Sequence, residues 1–161
     1  MKSKQALNKV ALLINKALIQ ELNDQGHRLT GALERSLSAF RVIDKSKETQ
    51  LNGYALDYAQ DLETGMPSSG KLPSVAELQK YFVLRGLSAN KALQAAILTA
   101  RRQAKEGMPT KASSRFSKTG ERKKFISRTW RSNEQKVDSL IDFEINNLFI
   151  DEYSKQKNET I

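Results

Sequence analysis

Residues 29–65, LTGALERSLSAFRVIDKSKETQLNGYALDYAQDLETG, are the stretch whose reading decides the fold. Across its middle, Leu37, Ala39, Arg41 and Ile43 interleave with Ser38, Phe40, Val42 and Asp44. A period of about two suits a half-buried strand. Residues 44–48 make a polar tip of hairpin length. Residues 49–53 supply a weaker return strand, because Asn52 and Gly53 are poor strand formers. After the hairpin, Tyr54, Ala55, Tyr58, Ala59 and Leu62 recur at helical spacing, which predicts a short helix stopped near Gly65.

On the N-terminal side, residues 4–25 place Leu7, Val10, Ala11, Ile14, Leu18 and Leu22 on one helical stripe. Ser3 reads as its N-cap and Gly26 as its stop. Leu12, Leu13 and Ile19 widen the apolar surface beyond a single seam. Two readings stay open: a helix sunk in its own core, or one whose Leu12 and Ile19 meet a neighbouring subunit.

On the C-terminal side, residues 65–73, GMPSSGKLP, are loop by composition. Ser74 and Glu77 form a capping box for a helix that carries Val75, Leu78, Tyr81 and Phe82 inward and stops at Gly86. Ser88 caps a second helix with the face Ala89, Leu93, Ala96, Ile97, Ala100 and Ala104, ended by Gly107 and Pro109. Together the two make an αα-hairpin. Residues 108–124 show no periodicity and are long for a structureless connection, which marks them as functional or disordered when alone. Few apolar residues anchor this loop or the 65–73 loop, so both are expected to be mobile in the free subunit and to order on assembly. Residues 125–130, FISRTW, are β-prone and are expected to return to the sheet. Ser132 with Gln135 reads as a capping box for a C-terminal helix. Its buried stripe is Val137, Leu140, Ile141, Ile145 and Leu148, with Phe143 and Phe149 off that line.

The expected architecture is α+β. Long N-terminal and C-terminal helices pack on a small antiparallel sheet drawn from residues 37–55 and 124–130, because so small a sheet is not stable alone. One domain over residues 1–150 carries the helical hairpin as an insert at 74–107 and a basic loop at 108–124. A polar tail follows at 151–161.

Composition narrows the function. At 161 residues, 39% apolar and 28% charged, the chain is long enough to bury a core. No apolar run approaches the ~20 residues of a membrane helix, and polar residues from Asn8 to Lys16 break any secretory signal, so no membrane partner is expected. Without cysteine there is neither disulfide nor thiolate site. His27 is the only histidine, no Gly-rich phosphate loop occurs, and Asp57 and Asp61 read as a solvated helix face. No catalytic residue, metal or cofactor is expected, and no enzyme activity.

The net charge of +9 is localised. Residues 101–131 hold eleven basic side chains against Glu106 and Glu121, and the rest of the chain is neutral. Such an excess asks for a partner of opposite sign. Arg115, Phe116, Lys118, Arg122, Lys123 and Lys124 form the candidate site. They face either nucleic acid phosphates or the acidic rim of another protein. A helix-turn-helix is the rival reading of the 74–107 hairpin. Against it, Arg101, Arg102 and Lys105 lie near the end of the second helix, whereas base-reading residues belong near its start.

The block Thr30-Gly31-Ala32-Leu33-Glu34-Arg35-Ser36-Leu37 resembles the TG-x-L-x-x-S-(I/L) signature of the neck and tail-completion proteins of tailed bacteriophages. A second family element, a Tyr-Ala pair with a further Tyr and an E-x-G, is matched by Tyr54-Ala55, Tyr58, Glu63 and Gly65. Phe125-Ile126 stand where the family has a P-F-(L/I) element, with Lys124 in place of the proline and Trp130 near an expected small residue. The resemblance spans residues 6–148 in order. It implies a virion structural subunit of the head–tail joining region, made in the host cytoplasm and assembled as a homo-oligomeric ring. Implied partners are neighbouring portal, adaptor or tail-tube proteins, with non-specific contact to packaged DNA. A non-virion nucleic-acid binder using residues 101–131 is the alternative that composition leaves open.

Overall fold

The computed structural model describes residues 2–45 and 48–159, and the chain is an α+β protein. Its elements in order are α1 (Lys2–Asp24), α2 (Ala32–Leu37), β1 (Phe40–Asp44), β2 (Thr49–Gly53), α3 (Ala59–Thr64), α4 (Val75–Leu84), α5 (Ala89–Glu106), a 3₁₀ helix (Lys111–Phe116) and α6 (Phe125–Glu159). The sequence predicts one domain over 1–150; the chain divides into two compact units. One comprises Met1–Glu21, Glu34–Ala55 and Ile126–Ile161, the other Leu22–Leu33 and Leu56–Phe125. The helical hairpin lies in the second unit.

In the first unit α1 buries Ala6, Val10, Ala11 and Leu18, the predicted stripe with Ala6 added. Leu7 and Ile14 are half-buried, and Leu12 is exposed. Ser3 lies inside the helix, which begins at Lys2, so it is not the cap. Two ion pairs join α1 to α6: Lys9 to Glu144 at 2.5 Å, and Arg128 Nε to Glu21 at 2.9 Å. The hairpin is antiparallel, with Val42 opposite Leu51 and Asp44 opposite Thr49. At its tip the Thr49 hydroxyl donates to Asp44 at 2.6 Å, and the Lys45 amide donates to the Glu48 carbonyl at 2.8 Å. Ser46 and Lys47, expected within the tip, lie outside the described residues.

Three strand or cap expectations are corrected. Leu37 ends α2 instead of opening a strand, and the sheet has two strands, with no contribution from 124–130. Residues 125–130 are instead the first turns of α6, so Ser132 and Gln135 lie inside a helix of 35 residues and cap nothing. The reason is periodicity. Phe125, Thr129 and Val137 are buried and Asn133 half-buried, so the buried stripe recurs every four residues, but its two middle members are polar. The Asn133 amide donates to the Thr129 carbonyl at 2.8 Å. Strand propensity of Ile126 and Trp130 reflects packing context more than backbone preference, and here the helical face prevails. The supposed tail at 151–161 continues α6 as far as Glu159.

In the second unit α4 and α5 pack together as predicted, with the Ser74 hydroxyl accepting the Glu77 amide at 3.3 Å. The buried face of α5 is Ala92, Ala96, Ala100 and Ala104. Ala89, Leu93 and Ile97, expected inward, are exposed, because small side chains let the two helix backbones approach and the larger ones fall to the flank. Helix α3 is shorter than expected, since Tyr54 and Ala55 precede it, but Gly65 does end it.

Candidate functional site

The basic segment divides into cations that face solvent and cations that hold the chain together. Arg101, Arg102 and Lys105 are exposed near the C-terminal end of α5, where the helix dipole favours positive charge. Arg115 is also exposed and stacks its guanidinium over the Phe116 ring at 4.8 Å; Phe116 itself is exposed.

Lys118, Arg122 and Lys123 behave differently. Helix α1 ends in a Schellman-type turn, with the His27 amide donating to the Leu22 carbonyl at 2.9 Å across Gly26. Gly26 has φ +71°, and a Cβ there would run into the Phe116 carbonyl oxygen. Glycine is therefore required both by the left-handed backbone and by the close approach of the basic loop. Onto this turn Arg122 donates from Nε to the Gln25 carbonyl at 3.0 Å and from Nη2 to the Gly26 carbonyl at 3.3 Å. Lys118 pairs with Asp24 at 2.6 Å and donates its amide to the Asp24 carbonyl at 2.8 Å. Gln25, fully buried, donates from Nε2 to the Lys123 carbonyl at 3.0 Å.

His27 completes this knot. Its Nε2 lies 3.2 Å from both Gln25 Oε1 and the Arg122 carbonyl, two acceptors, so Nε2 carries the hydrogen. Its Nδ1 faces Arg122 Nη2 at 3.4 Å, a donor, so Nδ1 keeps its lone pair. Burial first, then the charges of Arg122 and Arg85, push its pKa down to about 4, against a backbone hydrogen bond that raises it. Burial also lowers the pKa of Arg122, with Tyr81 opposing and Arg85 adding to the shift. The imidazole is neutral and structural.

A cleft of about 180 Å³ lies between residues 109–114 and 120–123. Its Ser113 and Ser114 hydroxyls donate to the Thr110 and Lys111 carbonyls, and Arg122 is engaged as above, so these groups do not converge on a ligand. The two loops expected to have few apolar anchors are tied by polar bonds. Met66 and Met108 pair backbones at 2.9 and 2.8 Å, Gly70 donates to the Ala104 carbonyl at 3.1 Å, and Lys111 donates to Glu106 at 2.9 Å.

Parts of the segments that carry the phage resemblance also meet within the second unit. Lys124, with φ 59°, donates its amide to the Glu63 carbonyl at 2.9 Å, and Phe125 next to it is fully buried. Gly65, at φ +74°, faces the Lys123 side chain and the Met108 carbonyl, where a Cβ would lie 2.5 and 2.7 Å from them. Leu33 is buried, and its backbone hydrogen-bonds Tyr58, whose phenol is shifted up by burial and held back by that bond. Tyr54, Tyr58 and Ile126 are exposed, Ser36 is half-buried, and the Thr30 hydroxyl accepts the Ala32 amide at 3.4 Å ahead of α2, just past Gly31. Of the expected interface pair, Leu12 is exposed and Ile19 half-buried.

Sequence reasoning missed Gln25 and His27 as the partners of the basic loop. Their signal was faint: two polar residues beside a helix-ending glycine. No family model, curated protein or solved structure matches the chain. Among the described residues no helix is long and apolar enough to cross a membrane.

Proposed function

We propose that this chain is a structural subunit of the head–tail joining region of a tailed phage, a neck or tail-completion protein that forms a closed ring through protein–protein contacts. One observation carries the reading. Two parts of the resemblance that are distant in sequence are in contact: Glu63 and Gly65 meet Lys123 and Lys124 immediately before buried Phe125. Short degenerate matches arising by chance have no reason to be in contact. The roles differ among them. Leu33, Glu63, Gly65 and Phe125 build the unit, while Arg115, Phe116 and the α5 arginines remain outside for a neighbouring ring protein or for packaged DNA. On this reading the protein resides in the virion after synthesis in the host cytoplasm.

Electron micrographs of particles labelled with an antibody to this chain test the proposal. Label at the head–tail junction is the expected result; particles that carry no label overturn it. A second reading, a non-virion nucleic-acid binder, is favoured by the exposed Arg101, Arg102 and Lys105. Phosphate contacts of that kind weaken steeply with salt. Sedimentation with duplex DNA at low and high salt separates the two, since a ring subunit assembles without DNA.

A further inference from the structure

The second half of α6 has an apolar face that its own unit leaves uncovered. Val137 is buried and Leu140, Ile141 and Leu148 are half-buried along one side. Phe143, Phe149, Ile150 and Tyr153 are 60%, 72%, 62% and 71% exposed. At ~100° per residue these four fall within about a third of the helix circumference, away from the buried side. Single exposed apolar residues are ordinary, but four large ones on one arc form a patch that marks an interaction surface. Two exposed carboxylates, Asp138 and Asp142, lie along the same side, and residues 138–152 hold no Lys or Arg.

Helix α5 presents the complement. Opposite its buried alanines, Leu98 is 62% exposed and is flanked by exposed Lys91, Arg101, Arg102 and Lys105. These five also share about a third of the circumference. One face is an apolar patch edged by two carboxylates, the other an apolar centre among four cations. Their lengths match too: α5 has 18 residues, and the acidic arc runs from 138 to 153.

We infer that the acidic aromatic face of α6 docks on the basic face of α5 in a second copy of this chain. The two faces differ, so the contact is heterologous. Each copy keeps one face of each kind available, and the contact repeats until a rotation closes it into a ring. Opposite charge steers the encounter and fixes which faces meet, and the aromatic residues supply the buried contact. The inference builds on the ring-subunit reading and names the surfaces that form the ring.

Mixing two variants of the purified full chain tests it. Phe149→Ser with Ile150→Ser removes the α6 face, and Arg101→Glu with Arg102→Glu removes the α5 face. Sedimentation velocity should show the parent self-associating, less so at high salt, and each variant associating at least about tenfold more weakly. Mixed together, the variants retain one intact face each and should give a 1:1 dimer and nothing larger. Tyr153→Ser and Lys105→Glu, equally exposed, replace any double variant that loses its helical circular dichroism. Rings formed by both variants as readily as by the parent overturn this contact and leave the ring reading standing. A parent that stays monomeric throughout overturns both. A mixture that stays monomeric, or an Arg101→Glu/Arg102→Glu variant that self-associates normally but no longer retains duplex DNA, also overturns it.

Discussion

Arg122 and Arg115 stand seven positions apart in one basic loop and do opposite work. Arg122 donates to two main-chain carbonyls at the end of α1, whereas Arg115 lies over an exposed ring. Hydrogen bonds from a charged donor contribute about 1.5–3 kcal/mol, while exposed side chains change stability by roughly 0.5 kcal/mol or less. Arg122→Ala should therefore lower the unfolding free energy by about 2–3 kcal/mol, and Arg115→Ala should leave it nearly unchanged in urea titrations. Reversing Arg115, Lys118 and Arg122 together would confound a surface effect with a folding one. Beside them, His27 has its pKa lowered from 6.5 to about 4. Between those values the unfolded chain binds a proton that the folded chain does not. The stabilisation is whole above about pH 6.5 and is lost as pH falls towards about 4. Urea midpoints on either side of that window should differ for the parent. His27→Gln, unable to titrate, should show a flatter dependence.

Helix α5 illustrates how an element can be foreseen while its orientation is foreseen only in part. Its start after Ser88 and its stop at Gly107 are legible in the sequence, although the Ser88 side chain makes no capping hydrogen bond. Which side faces inward is only partly legible. Ala96, Ala100 and Ala104 are foreseen and buried, but Leu93 and Ile97, the more hydrophobic candidates, are exposed and Ala92 is buried instead. Ala96→Leu should consequently overpack this buried face and destabilise by about 1–3 kcal/mol. Leu98→Ala, on the open side, should leave the thermal midpoint near the parental value. Helix α6 shows the converse error. Thr129 and Asn133 interrupt an otherwise apolar stripe, and the sequence of 125–130 then resembles a strand.

For the whole molecule, the separation of charge matters more than its sum. The excess of +9 lies in residues 101–131, and five of the seven carboxylates of α6 lie in 138–152. Contact between exposed patches of opposite sign weakens as the Debye length falls from about 10 Å at 0.1 M salt to about 3 Å at 1 M. The sedimentation coefficient of the parent should therefore fall as salt rises at fixed protein concentration. A coefficient that rises instead would indicate apolar association without charge steering. The same measurement after Lys118→Ala should be unchanged, since that side chain pairs with Asp24 of its own chain.

By itself the sequence determined the long N-terminal helix, the hairpin, the helical pair with its caps, and the localisation of charge. Each depends on periodicity, turn chemistry or counting within a few tens of residues. Only the tertiary structure decided that 125–130 is helical, that Leu93 and Ile97 of α5 face outward, and that Gln25 and His27 lock the basic loop. Those outcomes depend on groups nearly a hundred residues apart, such as Gln25 and Lys123, whose hydrogen bonds leave no period in the chain. A buried polar side chain is stable only when its partner arrives, and that arrival is a property of the fold.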